Sequence, residues 1–311
     1  MINELYGTSI LDLTELSKEQ LIAIIELAIA VKKKPEAYKG TLSGKLLAMI
    51  FEKNSTRTRV SFEAGIIQLG GQAIVLDAKA TQIGRGEPIK DTAKVLSSYV
   101  DGIMIRTFSD QMVQELAAEA SVPVINGLTD NHHPCQILAD FQTIYEQKGT
   151  LAGLQLAYVG DGNNMAHSFL LGGSLVGMHV AIASPEGYEP KTGIVKQALE
   201  NAEQSGSVIT LTNDPAIAVK NADIIVTDVW ASMGDEAEQE QRKKIFKAFQ
   251  VNNRLSVLAK KDFIFLHCLP AHRGEEVSAD IIDGPHSVVY QEAENRLHAQ
   301  KALMLKLMGN F

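Results

Sequence analysis

Nine short apolar runs, separated by stretches of helical periodicity, constrain this 311-residue chain more than any other feature. They lie at 46–51, 73–76, 102–106, 122–126, 155–159, 179–183, 208–211, 223–227 and 263–267. Strands that alternate with helices pair in parallel, because each crossover helix returns the chain to the same sheet end. Four runs precede a helical pattern at 134–147 and five follow it, with a Gly149-Thr150 break after that pattern. The expected fold is therefore α/β, with two doubly wound domains, each a central parallel sheet flanked by helices, over 1–148 and 149–290. The closing helical pattern, from 291 to 311, has no strand after it and is expected to pack back on the first domain. Ligands of such sheets bind outside the carboxyl ends of the strands, which directs attention to the residues just after each run.

Bulk properties narrow the partners. A net charge of −8 and a sequence pI near 5.5 oppose nucleic-acid binding, which needs a basic face, so any anion site must be local. The two cysteines, Cys135 and Cys268, are far apart and read as free thiols of a reducing, cytoplasmic protein. The N-terminal apolar stretch 21–31 carries Glu26 at helical periodicity, unlike a secretory leader, and the stretch 169–183 is broken by glycines and His179. No membrane role is expected.

The first strand run leads directly into Phe51-Glu52-Lys53-Asn54-Ser55-Thr56-Arg57-Thr58-Arg59. A helix start presents unpaired N–H groups and partial positive charge, and here hydroxyls and guanidiniums crowd into one turn, which suits phosphate. The plain alternative is that Ser55 or Thr56 caps the helix while the arginines pair with Glu52 and Glu63. Arg57 and Arg59 are two positions apart and cannot share a helix face. Arg57 is therefore assigned to the anion and Arg59 to a structural partner.

Arg106 ends the third run, and Asn131-His132-His133-Pro134-Cys135-Gln136 follows the fourth at the head of a helix. Pro134 suits the first helical turn, His133 stands at the cap position, and Gln136 can reach back over the helix start. Arginines bind oxyanions through paired donors, while His and Gln can polarise a carbonyl. Arg57, Arg106 and His133 at strand ends of one sheet thus suit a phosphate joined to a carbonyl. The glycine-rich segment around Gln82 reads either as a solvated loop or as a ligand loop.

In the second half, Gly160-Asp161-Gly162-Asn163-Asn164-Met165 is similar to a dinucleotide fingerprint, but Met165 stands where the third glycine belongs. Asn164 is either a helix cap or a donor to a ligand. Asp228 ends a strand and could hold an ammonium, with Ser232 and Met233 able to close over it. Cys268 lies at the end of the final strand, where a site role is preferred to that of an inert thiol. Ser43-Gly44-Lys45 lacks the preceding glycine of a P-loop, and no zinc-type spacing occurs, so metal-free chemistry is expected.

Taken together, Ser-Thr-Arg-Thr-Arg at 55–59, His-Pro-x-Gln at 133–136, the segment 228–234 and His-Cys-Leu-Pro at 267–270 resemble the aspartate/ornithine transcarbamoylase family, over essentially the whole chain. The aspartate branch usually has a second proline where this chain has Cys268, so the likeness is to the ornithine branch. The resemblance implies an N-terminal carbamoyl-phosphate domain, a C-terminal amino-acid domain and a homotrimer with shared active sites, with higher assemblies of trimers open. It implies attack of the δ-amine of L-ornithine on carbamoyl phosphate, giving citrulline and phosphate for arginine biosynthesis, with no cofactor. By the same resemblance Ser55, Thr56, Arg57, Thr58, Arg106, His133, Pro134, Cys135 and Gln136 bind carbamoyl phosphate, and Gln82 comes from a neighbouring subunit. Asn164, Asp228, Ser232 and Met233 bind ornithine. Cys268, Leu269 and Arg296 complete the reacting centre, in which Arg106, His133 and Cys268 are the catalytic groups. For Arg296 this reverses the helical pairing with Glu292 that spacing alone favours. Rival readings are a transcarbamoylase for putrescine, N-acetylornithine or aspartate, a nicotinamide-dependent dehydrogenase, and a non-catalytic phosphate sensor.

Overall fold

The first four apolar runs become β1 (Leu46–Phe51), β2 (Gln72–Asp77), β3 (Gly102–Arg106) and β4 (Val124–Leu128) in the computed structural model, which describes residues 4–231 and 238–309. They form one parallel sheet in the order β2-β1-β3-β4. Central strand β1 is apolar along its length and β3 is apolar up to Arg106, because both faces are covered, whereas edge strand β2 runs through exposed and half-buried positions. The covering helices are α1 (Lys18–Lys33), α2 (Arg57–Gln68), α3 (Ile89–Ser97), α4 (Asp110–Glu119) and α5 (Pro134–Lys148). Strand β4 starts later than the apolar pattern suggests. Pro123 has no N–H to give to a ladder, so it contributes only its carbonyl, to Ile103, and regular pairing begins at Val124.

The remaining runs form a second parallel sheet from β5 (Gln155–Val159), β6 (His179–Ala183), β7 (Ile209–Thr212), β8 (Ile224–Thr227) and β9 (Ile264–His267), in the order β7-β6-β5-β8-β9. Its helices are α6 (Asn164–Val176), α7 (Thr192–Ser205), α8 (Pro215–Val219), α9 (Gln239–Phe246), α10 (Asn253–Ser256) and α11 (Ala279–Ile282), and the long α12 (Val289–Met308) follows them. Helix α6 is apolar nearly all round and correspondingly buried. It lies so close to β6 that a Cβ on Gly173 would come within 2.4 Å of Val180. The two-sheet α/β architecture expected from the alternation is the one observed.

Two compact units result: Met1–Gln142 with Glu294–Phe311, and Thr143–Ala293. The division falls inside α5 and α12. The last turn of α5 groups with the second unit because Lys148 donates to Asp262 at 2.9 Å and Glu146 accepts from Gln291 at 2.7 Å. Gly149, with φ +77, then turns the chain out of the helix.

Each sheet reverses its strand order once, between β1 and β3 in the first unit and between β5 and β8 in the second. Such switch points open a crevice at the carboxyl ends of the two strands. Ser55–Arg59 follow β1 and Arg106 ends β3, while Asn164 follows β5 and Asp228 follows β8; His133 and Gln136 come after the neighbouring strand β4, and Cys268 after β9. No described helix is long and apolar enough to cross a membrane.

Candidate functional site

Ser55 Oγ accepts the N–H of Thr58 at 3.2 Å and so caps α2, while Thr56 occupies the cap position without a side-chain bond. Thr58 is buried, Arg57 half-buried and Arg59 exposed. Arg59 lies 3.7 Å from Glu63 in an i,i+4 pair, as its spacing suggested, but Glu52 accepts instead from the hydroxyl of Thr107. Lys53 is buried, donates to Asp130 and lies 4.2 Å from the centre of the Phe108 ring. Lys53 belongs to none of the motifs that point to a site residue. The available signal was its place between a buried strand and an anion-type turn.

Thr58 also organises two arginines. Its Oγ1 accepts from Nη1 of Arg106 at 3.2 Å and from Nη2 of Arg296 at 3.3 Å. Both guanidiniums are buried, one at the end of β3 and the other on α12. Arg296 further donates to Oε1 of Gln136 at 2.5 Å, and Nε2 of Gln136 donates to Asp140 at 2.8 Å. Gln136 therefore bridges Arg296 and Asp140 in this structure, a different geometry from the backward reach over the helix start that the sequence suggested.

His133 precedes α5 and is 5% exposed. Burial, followed by the positive charges of Arg296, Arg106, Arg57 and Lys53, holds its imidazole well below the usual 6.5. A neutral ring in a cationic surround can donate one hydrogen bond without adding further charge. Cys135 is different. It is fully buried, donates to the Asn126 carbonyl at 3.3 Å, and has its thiol pushed up to about 12 by burial. Its side chain is thus turned into the fold, and Pro134 beside it starts the helix. Gln82 is exposed, in a segment that is not loose: its carbonyl accepts from Arg85 and Glu87. Half-buried Ile83 anchors the same segment to the apolar core.

In the second unit, Asn163 rather than Asn164 caps α6, its Oδ1 accepting from the N–H groups of Met165 and Ala166 at 2.9 and 3.3 Å. An Asn immediately before a helical run was the signal that would have found it. Asn163 Nδ2 donates to Asp228 Oδ2 at 2.9 Å, while Asp228 Oδ1 accepts from the Val229 N–H at 2.8 Å and from the Cys268 thiol at 3.2 Å. Ser232 and Met233 lie outside the described residues.

The segment after β9 is held by two buried carboxylates. Glu292 accepts the His267 N–H at 2.8 Å, and Glu276 meets His267 Nε2 at 3.1 Å. His267 Nδ1 accepts from the Leu269 N–H at 2.9 Å, so the ring carries its proton on Nε2. Leu269 takes a positive φ of 57, unusual for a branched residue, and precedes a cis peptide to Pro270. Asp228, His267 and Cys268 have possible ligand atoms within 4.8 Å of one another, but both ring nitrogens of His267 are engaged in these bonds.

The glycines after β5 have local explanations, a φ of +149 at Gly160 and a close backbone approach at Gly162. Gly162 donates to the Tyr188 carbonyl at 2.8 Å, and a Cβ there would come within 2.3 Å of the backbone at Glu189 and Pro190.

Residues 8–146 match the carbamoyl-P binding domain of aspartate/ornithine carbamoyltransferases, and residues 152–307 match their Asp/Orn binding domain. The chain belongs to the aspartate/ornithine carbamoyltransferase family. This carbamoyltransferase-family chain is 59% identical over 308 residues to the ornithine carbamoyltransferase of Anoxybacillus flavithermus, covering 98% of each. Among solved structures it is similar to the ornithine carbamoyltransferase of Pyrococcus furiosus, with TM-score 0.95, 54% identity and 99% of each chain covered. The anabolic ornithine carbamoyltransferase of Campylobacter jejuni matches with TM-score 0.91 and 41% identity, over 96% of this chain and 97% of that one.

Proposed function

We propose that this protein transfers the carbamoyl group of carbamoyl phosphate to the δ-amine of L-ornithine, giving L-citrulline and phosphate. The observation that carries the reading is the collection of Lys53, Arg57, Arg106 and Arg296 around a neutral His133 at one strand-end crevice. Four positive groups suit a doubly charged phosphate, and a neutral imidazole suits an uncharged carbonyl oxygen. Full-length identity to ornithine carbamoyltransferases supports the same reaction.

The first unit binds carbamoyl phosphate. Ser55, Thr56, Arg57 and Thr58 offer the phosphate the start of α2, and Arg106, His133 and Arg296 take the phosphate and carbonyl oxygens. Gln136 acts through Arg296, and Pro134 and Cys135 contribute only the opening of α5. The second unit binds ornithine, with Asp228 as counter-ion to its ammonium, Asn164, Ser232 and Met233 on its backbone, and Cys268 and Leu269 beside the amine.

The amine lone pair attacks the carbonyl carbon, and a C–N bond forms as the carbonyl electrons move to oxygen. Arg106 and His133 stabilise that oxyanion. Collapse breaks the C–O bond to phosphate, whose leaving charge Arg57 and the α2 start accept. The nitrogen loses a proton, for which the departing phosphate is a nearby basic acceptor. Holding two substrates in line supplies an effective molarity on the order of 10⁵ M or more, a large share of the acceleration.

We also assign the chain to a cytoplasmic homotrimer in the direction of arginine synthesis. Apolar side chains left exposed on α2 (Val60, Ile67), edge strand β2 (Ile74), α3 (Val95) and the turn after it (Tyr99) support an interface on the first unit, the unit that carries Gln82. Sedimentation at three times 33.8 kDa is the expected result, and a monomer at working concentration would overturn it. The reaction itself is tested by product formation from carbamoyl phosphate with ornithine, putrescine, N-acetylornithine and aspartate in parallel. Citrulline formed fastest is expected, and preference for another amine would overturn the substrate assignment.

A further inference from the structure

We infer that Asn163 is a positioning residue that sets the orientation of the Asp228 carboxylate for the amino-acid substrate, an inference that rests on the ornithine reading above. The side-chain amide of Asn163 cannot be turned round without loss. Its Oδ1 is claimed by three donors, the N–H groups of Met165 and Ala166 and the hydroxyl of Tyr158, at 2.9, 3.3 and 3.0 Å. A flip would aim an NH₂ at three donors and a carbonyl at a carboxylate, so Nδ2 must face Asp228.

Tyr158 is fully buried on β5, and the two N–H groups belong to the first turn of α6, so the amide is fixed by a strand and a helix together. The bond from Nδ2 to Asp228 Oδ2 then transmits that rigidity to the end of β8. With the Val229 N–H and the Cys268 thiol on the other oxygen, the carboxylate is held from both sides. An ammonium arriving at Asp228 thus meets an acceptor already oriented, and none of its binding energy is spent on freezing a rotamer.

The test uses the full-length protein and two variants. Asn163→Ser keeps a cap for α6, since serine caps as well as asparagine, but cannot reach Asp228. It is expected to raise KM for ornithine about ten- to a hundredfold, the range for a lost hydrogen bond to a charged group. KM for carbamoyl phosphate and the melting temperature should stay near wild type. Asn163→Asp sets a second carboxylate against Asp228, with Tyr158, Asp161 and Cys268 also facing the pair. Its relative activity should recover as pH falls and one carboxylate of the pair takes a proton.

An unchanged ornithine KM in Asn163→Ser, or equal rises in both KM values together with a fall in melting temperature, would overturn the inference. So would an Asn163→Asp profile parallel to wild type. Failure of the wild type to make citrulline would instead overturn the substrate reading. The same KM split would then be read with whichever amine of the panel the wild type accepts.

Discussion

Arg296 donates from Nη1 to Oε1 of Gln136 at 2.5 Å, joining two residues 160 positions apart in sequence. The bond aims a guanidinium that also rests on Thr58, and both partners are buried. Replacing Arg296 by Met should keep much of the side chain's apolar packing while removing the charge. The expected outcome is a loss of about 2–3 kcal/mol in carbamoyl-phosphate binding by calorimetry, or roughly 30- to 150-fold in Kd. A Kd within twofold of wild type would remove Arg296 from the site.

Arg57 and Arg59 separate the anion reading of the β1–α2 turn from the ordinary helix-pair reading. Arg57 influences His133, whereas Arg59 is exposed beside Glu63. Arg57→Ala should weaken carbamoyl-phosphate binding by at least tenfold, and Arg59→Ala by less than threefold, since an exposed i,i+4 pair contributes only about 0.3–0.5 kcal/mol. Equal losses in the two variants would refute the assignment.

The depressed His133 imidazole makes a prediction for stability. Its folded pKa lies below the unfolded value near 6.5, so between the two the unfolded chain binds more protons, and unfolding becomes easier as pH falls. The ligand-free protein should hold its denaturation midpoint above pH 6.5 and lose stability below it. His133→Gln should show a shallower decline, measured by urea titration at several pH values. An identical slope in the variant would assign the effect to other groups.

Thiol labelling should distinguish the two cysteines. Cys135 is fully buried with its thiol pushed up to about 12, while Cys268 is half-buried. Mass spectrometry of the native protein after brief iodoacetamide treatment should find Cys268 modified and Cys135 intact, with both modified after denaturation. Native modification of Cys135 would contradict the packing of α5 against β4.

The ornithine δ-amine must attack as the free base. With an ordinary pKa near 10.4, its neutral fraction grows about tenfold per pH unit in the neutral range. We expect kcat/KM for ornithine to rise between pH 6 and 9. His133 is already neutral over that range, so its titration should not limit the rate there. A flat profile would contradict attack by an amine that enters protonated.

Several site residues were legible because local chemistry identifies them. The Ser55–Arg59 turn announces an anion by its hydroxyls and guanidiniums at a helix start, and the observed cap by Ser55 follows from ordinary N-cap chemistry. Other contacts depend on packing rather than on local chemistry. Of the adjacent Asn163 and Asn164, it is Asn163 that holds the cap and Asp228, a choice that depends on which one turns toward the helix axis. Gly160 and Gly162 looked like part of a cofactor loop. Gly162 instead serves a close approach to the backbone at Glu189 and Pro190, and Gly160 takes a φ of +149.

The alternation of apolar runs with helical periods by itself determined a parallel α/β architecture, because that order admits few other ways to pair strands and cover both sheet faces. The motifs placed polar groups at strand ends, where switch-point crevices form. Only the tertiary structure decided that Arg296 turns to Gln136 and Thr58, and that Cys268 and Asn163 hold Asp228 from opposite sides. Those pairings join residues from different elements. Spacing along the chain reports which face of a helix or strand a side chain occupies, but the packing of the elements chooses what that face meets.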